Sequence, residues 1–204
     1  MSGVKFISIT PGAERQILYC ARVSSNQEND DPGLLRYLIR NKHWSPFEMA
    51  HAVMEIETTR AIAPQILRHR SFSFQEFSQR YAAASDWEDT YPRRAGTTNR
   101  QGSTDDLHYV AWYWFVETQR RLAEEAFAAY AKALNKGIAP ESARFLLPLS
   151  TTTKLYMSGS IRSWIHYFEI RCDEHTQLEH RLLAEEARAL LAPLLPTIAD
   201  ALGW

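Results

Sequence analysis

Apolar residues along the chain switch between two periods. Residues 4–9 (VKFISI) read as a short strand closed by Thr10, Pro11 and Gly12, after which residues 13–24 (AERQILYCARVS) take helical spacing. A second short helix, Leu34 to Arg40, follows the turn-forming NDDPG, and HWSPF then interrupts the pattern. HAVMEIETT alternates around Ala52, Met54 and Ile56 as a half-buried strand does. Residues 60–70 (RAIAPQILRHR) take the spacing of a short helix with an early proline, and residues 71–81 read as extended.

Residues 85–105 are rich in Asp, Thr, Arg and Gly without apolar periodicity, so they predict a long surface loop of the kind that tends to be functional. Leu107 to Asn135 predicts a long amphipathic helix ended by Lys136 and Gly137. Pro140 opens a short helix, PLSTTTKLYM reads as a strand, and two helices separated near Asp173 finish the chain. The sum is an α+β protein with a small mixed or antiparallel sheet flanked by helices. The strands do not alternate with crossover helices, which argues against a doubly wound sheet. No repeat or composition shift marks a boundary, so 1–204 is expected to be one domain.

Composition narrows the function. The 204 residues carry 23 basic and 24 acidic side chains, a net charge of −1, which argues against a protein that coats nucleic acid or an anionic membrane. No stretch approaches the length of a membrane span, and MSGVKFISITPG has no apolar leader, so a cytoplasmic protein is expected. Of the 23 cations, 18 are Arg and 5 are Lys. Arginine's planar fork suits phosphate and carboxylate, although codon usage can produce the same ratio. There is neither GxGxxG after a strand nor a GxxxxGK[ST] loop, so a bound nucleotide must be held by side chains.

Two polar constellations stand out. The first is Gln65, Arg68, His69 and Arg70 followed by Ser71, Gln75, Glu76, Ser78 and Arg80. Three cations near one carboxylate and several amides suit a phosphorylated, hydrogen-bonding ring compound; a solvated helix end running into an edge strand is the plain alternative. On a helix, Gln65, Arg68 and His69 share a side, and on a strand Glu76, Ser78 and Arg80 share a face. The second is Arg144, Ser160, Arg162, His166, Arg171 and His175. Arg162 and His166 stack at i, i+4 while Arg171 lies half a turn away, so one helix offers cations in two directions, as it would between subunits. No metal site is expected: the run from Asp173 to His180 lacks HExxH. Cys20 and Cys172 form no CxxC, and Cys172, although beside Arg171, reads as an incidental thiol.

The run RHRSFSFQEFS is Arg-His-Arg, seven further residues and then Ser78, and it continues as Gln79, Arg80 and Tyr81. It resembles the signature of the flavin-dependent thymidylate synthases, which make dTMP from dUMP with FAD. HWSPFE at 43–48, ARFLLP at 143–148 and SIRSWIHYFEIRCDEHTQ at 160–177 follow the same family's order, so the resemblance covers essentially the whole chain. It implies FAD contacts at Ser45, Arg68, His69, Arg70, Glu76, Ser160, Ile161, Arg162, His166 and His175. It implies dUMP contacts at Gln65, Ile66, Leu67, Arg68, Glu76, Phe77, Ser78, Gln79 and Arg80, with Arg144 reaching in from another subunit. Arg171 matches the arginine that favours ionisation of uracil N3. The resemblance further implies NADPH as reductant, methylenetetrahydrofolate as carbon donor, no cysteine attack on the pyrimidine, and a homotetramer with active sites at subunit interfaces. Gln75 stands where Asn is frequent in the family, and Ser160 where Asn is expected. A flavin-dependent reductase acting on another ring compound is the alternative enzyme; a nucleotide-sensing or nucleic-acid-binding module would call for a larger basic excess.

Overall fold

A computed structural model describes residues 2–24, 31–96 and 102–204. Residues 29–30 of the NDDPG turn and 97–101 of the expected loop lie outside them. Four antiparallel strands form the sheet in the order β1 (Gly3–Ile9), β2 (His51–Thr59), β6 (Thr152–Ser160), β3 (Phe72–Glu76). Between β3 and β6 come a two-stranded ribbon, β4 (Arg94–Ala95) with β5 (Ser103–Thr104), and the long helix α4 (Tyr109–Asn135). The remaining helices are α1 (Ala13–Ala21), α2 (Pro32–Arg40), α3 (Ala63–Ile66), α5 (Pro140–Ala143), α6 (Ile161–Arg171), α7 (Leu178–Leu191) and α8 (Pro196–Leu202). The α+β reading with a small antiparallel sheet holds.

The alternation in HAVMEIETT does what its period requires. Ala52, Met54 and Ile56 are sealed in the core with Leu155 and Met157 of β6, under Trp164 and Phe168 of α6 and Leu183 and Leu191 of α7. The opposite face of β2 stays polar: Glu55 lies 3.5 Å from Lys5 and 3.2 Å from Lys154 across neighbouring strands. Helix α4 stands apart from this core, its second half packing Tyr130 and Ala133 against Ala143 of α5. Among the described residues no helix is long and apolar enough to cross a membrane.

Several boundaries differ from expectation for local reasons. The extended segment stops at Glu76: after Phe77 N–H bonds the Lys154 carbonyl (2.8 Å), Ser78 to Tyr81 form a turn closed by Tyr81 N–H to the Ser78 carbonyl (3.1 Å). The 60–70 helix shrinks to the single turn of α3, because the Arg60 and Ala61 N–H groups bond the carbonyls of Thr151 (2.9 Å) and Leu149 (3.0 Å) instead. Strand β6 starts at Thr152 and runs on to Ser160, since Thr151 N–H turns back to the Pro148 carbonyl (3.1 Å). Helix α8 and 3-10 turns at Ser45–Met49, Arg144–Leu146 and Ala192–Leu194 were not anticipated.

Candidate active site

The predicted residues gather into three groups within one chain. The first joins α3 and its exit to the last turn of α6. Arg171 Nε donates to His69 Nε2 at 2.8 Å. That imidazole is therefore the acceptor and carries its proton on Nδ1. Burial, reinforced by the neighbouring charge of Arg171, pushes the His69 pKa down to about 4, so it is neutral at physiological pH. Arg171 meets no carboxylate among the described residues, and the guanidinium groups of Arg68 and Arg70, both exposed, also lack an acidic partner there. Three cations without counter-charges thus flank a neutral imidazole. Gln65 turns inward beside them, while Ile66 is core and Leu67 half-buried.

The second group sits where β6 runs into α6. Ser160 caps that helix, its Oγ accepting from Ser163 N–H at 3.2 Å and donating to Glu48. Arg162 Nη1 donates to the other Glu48 oxygen at 2.7 Å. Two hydrogen bonds and the Arg162 charge hold the Glu48 carboxyl below its ordinary pKa, against the opposing effect of burial. Ser45, exposed, opens the 3-10 turn that carries Glu48. Ile161 is fully buried, with its N–H bonded to the Ala50 carbonyl. His166 is exposed 3.8 Å from Glu169, and His175 is bonded to Asp173 at 2.7 Å.

The third group lies at the other end of β3. Glu76 Oε1 accepts from Arg60 Nη1 (2.9 Å) and Thr153 Oγ1 (3.1 Å). Gln79 is buried with its Nε2 unpartnered, Phe77 and Ser78 border the turn, and Arg80 lies 3.4 Å from Glu141. Glu141's carbonyl in turn accepts from Arg144 Nε at 3.3 Å. Phe72 faces Gly159 and Glu76 faces Leu155 along β6, so this group is displaced from the first by four strand residues, roughly 13 Å. A ligand touching both must be extended.

Among the described residues neither the Cys172 thiol nor the Ser78 hydroxyl has a base hydrogen-bonded to it. Burial pushes the half-buried Cys172 thiol up, and the charges acting on it come from Arg188 and Glu185 rather than Arg171. Ser78 Oγ accepts from Arg80 N–H and has no base beside it. Among the described residues no group of three or more His, Cys, Asp or Glu side chains is arranged to hold a metal.

Sequence reasoning missed Glu48 as a partner, and it missed Tyr167 and His180 behind the first group. Glu48 stood inside the HWSPFE motif and was signalled by that alone; Tyr167 read as an ordinary helix residue, and His180 was weighed only as a metal ligand in the run from Asp173. An open cleft of about 800 Å³ also escaped it. Tyr91, Arg93 and Trp114 line one side, and His175, Gln177 and Arg181 the other.

Residues 5–197 match the sequence model of the family described as thymidylate synthase complementing protein. The flavin-dependent thymidylate synthase of Synechocystis sp. is 52% identical over 98% of this chain and 99% of its own length. This chain belongs to that family. The probable flavin-dependent thymidylate synthase of Paramecium bursaria Chlorella virus 1 is 49% identical, over 94% of this chain and 91% of its own. Among solved structures, the UMP/dUMP methylase PolB from Streptomyces cacaoi, bound with 5-Br dUMP, superposes with a TM-score of 0.87 at 28% identity, covering 98% of this chain and 94% of that one. The same methylase bound with 5-Br UMP gives 0.86. The sequence likeness to the flavin-dependent thymidylate synthases and the structural likeness to the methylase both extend over nearly the whole chain in which the three groups are set.

Proposed function

We propose that this chain carries out the reductive methylation of dUMP to dTMP with FAD as cofactor, methylenetetrahydrofolate as carbon donor and NADPH as reductant, without a cysteine nucleophile. Family membership supports the reaction, and the observation that carries the site is the set of uncompensated cations, Arg68, Arg70 and Arg171, around neutral His69. Guanidinium groups without acidic partners among the described residues suit the phosphates of dUMP and of the dinucleotide, so the residues present fit the flavin as well as the substrate.

In this reading Ser45, Arg68, His69, Arg70, Glu76, Ser160, Ile161, Arg162, His166 and His175 hold the flavin, which supplies the hydride chemistry when bound. Gln65, Ile66, Leu67, Arg68, Glu76 and residues 77–80 hold dUMP, with Arg144 contributed by a second subunit. Arg171 acts on the substrate. Its charge beside N3 lowers the cost of a uracil anion, as an opposite charge favours ionisation of any acid. Because His69 accepts from Nε, the outer Nη edge of Arg171 remains available to the pyrimidine. Glu76 is already an acceptor held by Arg60 and Thr153, which fixes its direction before ligand arrives. The proposal includes a single-domain chain, a homotetramer with shared sites, and a cytoplasmic location, with no nucleic acid or membrane partner.

The purified protein is expected to be yellow, to bleach with NADPH, and to form dTMP from dUMP and methylenetetrahydrofolate; Cys172→Ala keeps this activity. NADPH oxidation without dTMP would point to a reductase of another ring compound. A colourless protein that FAD cannot reconstitute would rule out both.

A further inference from the structure

Behind the first group lies a chain of hydrogen bonds that runs from the protein surface into the core. At its outer end Gln177 Nε2 donates to Glu179 Oε2 at 3.0 Å. Gln177 Oε1 accepts from Gln65 Nε2 at 2.7 Å. Gln65 Oε1 lies 3.3 Å from His180 Nδ1, and His180 Nε2 lies 3.0 Å from the Tyr167 hydroxyl. His180 is fully buried, and Tyr167 nearly so.

The direction of every bond follows from one end. A carboxylate only accepts, so Gln177 must turn its amide nitrogen to Glu179 and its oxygen to Gln65. Gln65 must then present nitrogen to Gln177 and oxygen to His180. His180 must carry its proton on Nδ1, which leaves Nε2 to accept from Tyr167. A flipped Gln65 would set its nitrogen against the Nδ1–H of His180, or leave buried polar atoms unpaired.

We propose that His180, anchored by Tyr167, is a positioning residue that fixes the amide of Gln65 in one orientation, so that its remaining N–H is offered to an oxygen of the bound pyrimidine nucleotide. This deepens the proposed function and rests on it, since Gln65 is read there as a dUMP contact. Burial, with Arg171 and His69 adding to it, pushes the His180 pKa down to about 3, so the imidazole keeps one proton and a single tautomer serves the chain. The Tyr167 ring also packs edge-on to His69, with centroids 4.9 Å apart. The same pair therefore backs the imidazole that holds Arg171.

The test is a double-mutant cycle on the flavin-loaded enzyme, reading KM and kcat for dUMP. Tyr167→Phe and His180→Leu are introduced together, so that neither polar group is left alone in the core. Glu179→Ala, near the surface, removes the obligate acceptor without touching the core. Each change is expected to raise KM for dUMP about three- to tenfold, as loss of one well-aimed neutral hydrogen bond does, while kcat stays within about twofold. In a Gln65→Ala background neither should raise KM further. A KM that does not move, or the same rise with and without Gln65, overturns the proposal, and Glu179→Ala decides the matter if the core variant does not fold. Wild-type enzyme that binds no dUMP would instead overturn the proposed function, and this inference with it.

Discussion

Arg171 is held by a neutral imidazole rather than by a carboxylate, and that choice of partner leaves its charge to the ligand. A carboxylate in the place of His69 would cancel the field at the substrate; a protonated histidine would repel Arg171 itself. Arg171→Ala is expected to lower kcat for dTMP formation about 10²- to 10³-fold, the usual cost of removing one donor aimed at developing charge, with flavin content unchanged by absorbance. Arg171→Lys should recover little, since a single ammonium cannot bond His69 and the pyrimidine from two edges. The buried histidines also make stability depend on pH. His180 titrates at about 3 in the folded chain against its ordinary 6.5, so below that ordinary value the unfolded state binds the extra proton. Its contribution is complete above about pH 6.5 and falls away toward pH 3, at up to about 1.4 kcal/mol per unit. His69, with a smaller downward shift, adds in the same direction. Urea midpoints should therefore fall between about pH 7 and pH 5, and fall less in Tyr167→Phe/His180→Leu.

Phe72 of β3 faces Gly159 of β6, with its ring against the glycine. A Cβ on Gly159 would come within 2.4 Å of Phe72 Cδ1. The Phe72 ring also touches Trp164 at 4.9 Å and Tyr167 at 5.9 Å between centroids, so it cannot yield freely. Gly159→Ala should cost about 1–3 kcal/mol by chemical denaturation, and combining it with Phe72→Ala should cost less than the sum of the two. How far elements could be read from the sequence follows from how local their causes are. The alternation at Ala52, Met54 and Ile56 and the spacing of α4 are properties of neighbouring residues, and both emerged within two residues of their observed limits. The end of β3 is set by the Lys154 carbonyl, far along the chain, and could not be read from residues 71–81. The same division runs through the site. Arg68, His69, Arg70 and Arg171 were marked by motif spacing, whereas the Gln65–His180 contact spans 115 positions and leaves no local trace. Glu48 holds Arg162 across 114 positions and was legible only as a letter in HWSPFE.

At the scale of the whole molecule, the first and third groups stand roughly 13 Å apart along β3, and one chain does not close them around a single compact ligand. Large apolar side chains stand exposed near the third: Tyr81 is 85% and Phe145 83% accessible, the latter beside Arg144. A homotetramer in which Arg144 serves a neighbour's site accounts for both observations. It predicts that Arg144→Ala and Arg171→Ala, each inactive alone, regain dTMP formation when unfolded and refolded together, because some mixed sites then contain both arginines. Equal inactivity of the mixture would argue for sites built within one chain. The order of the sheet has one more consequence, in time rather than space. Strand β6 is the central partner of both β2 and β3, yet about 75 residues separate it from the end of β3. On a ribosome adding about 5–20 residues per second, one edge of β2 and all of β3 wait roughly 4–15 seconds for the strand that joins them. Through that interval the nascent chain carries open strand edges, so the yield of native protein should depend on chaperones during synthesis more than on the stability of the finished fold.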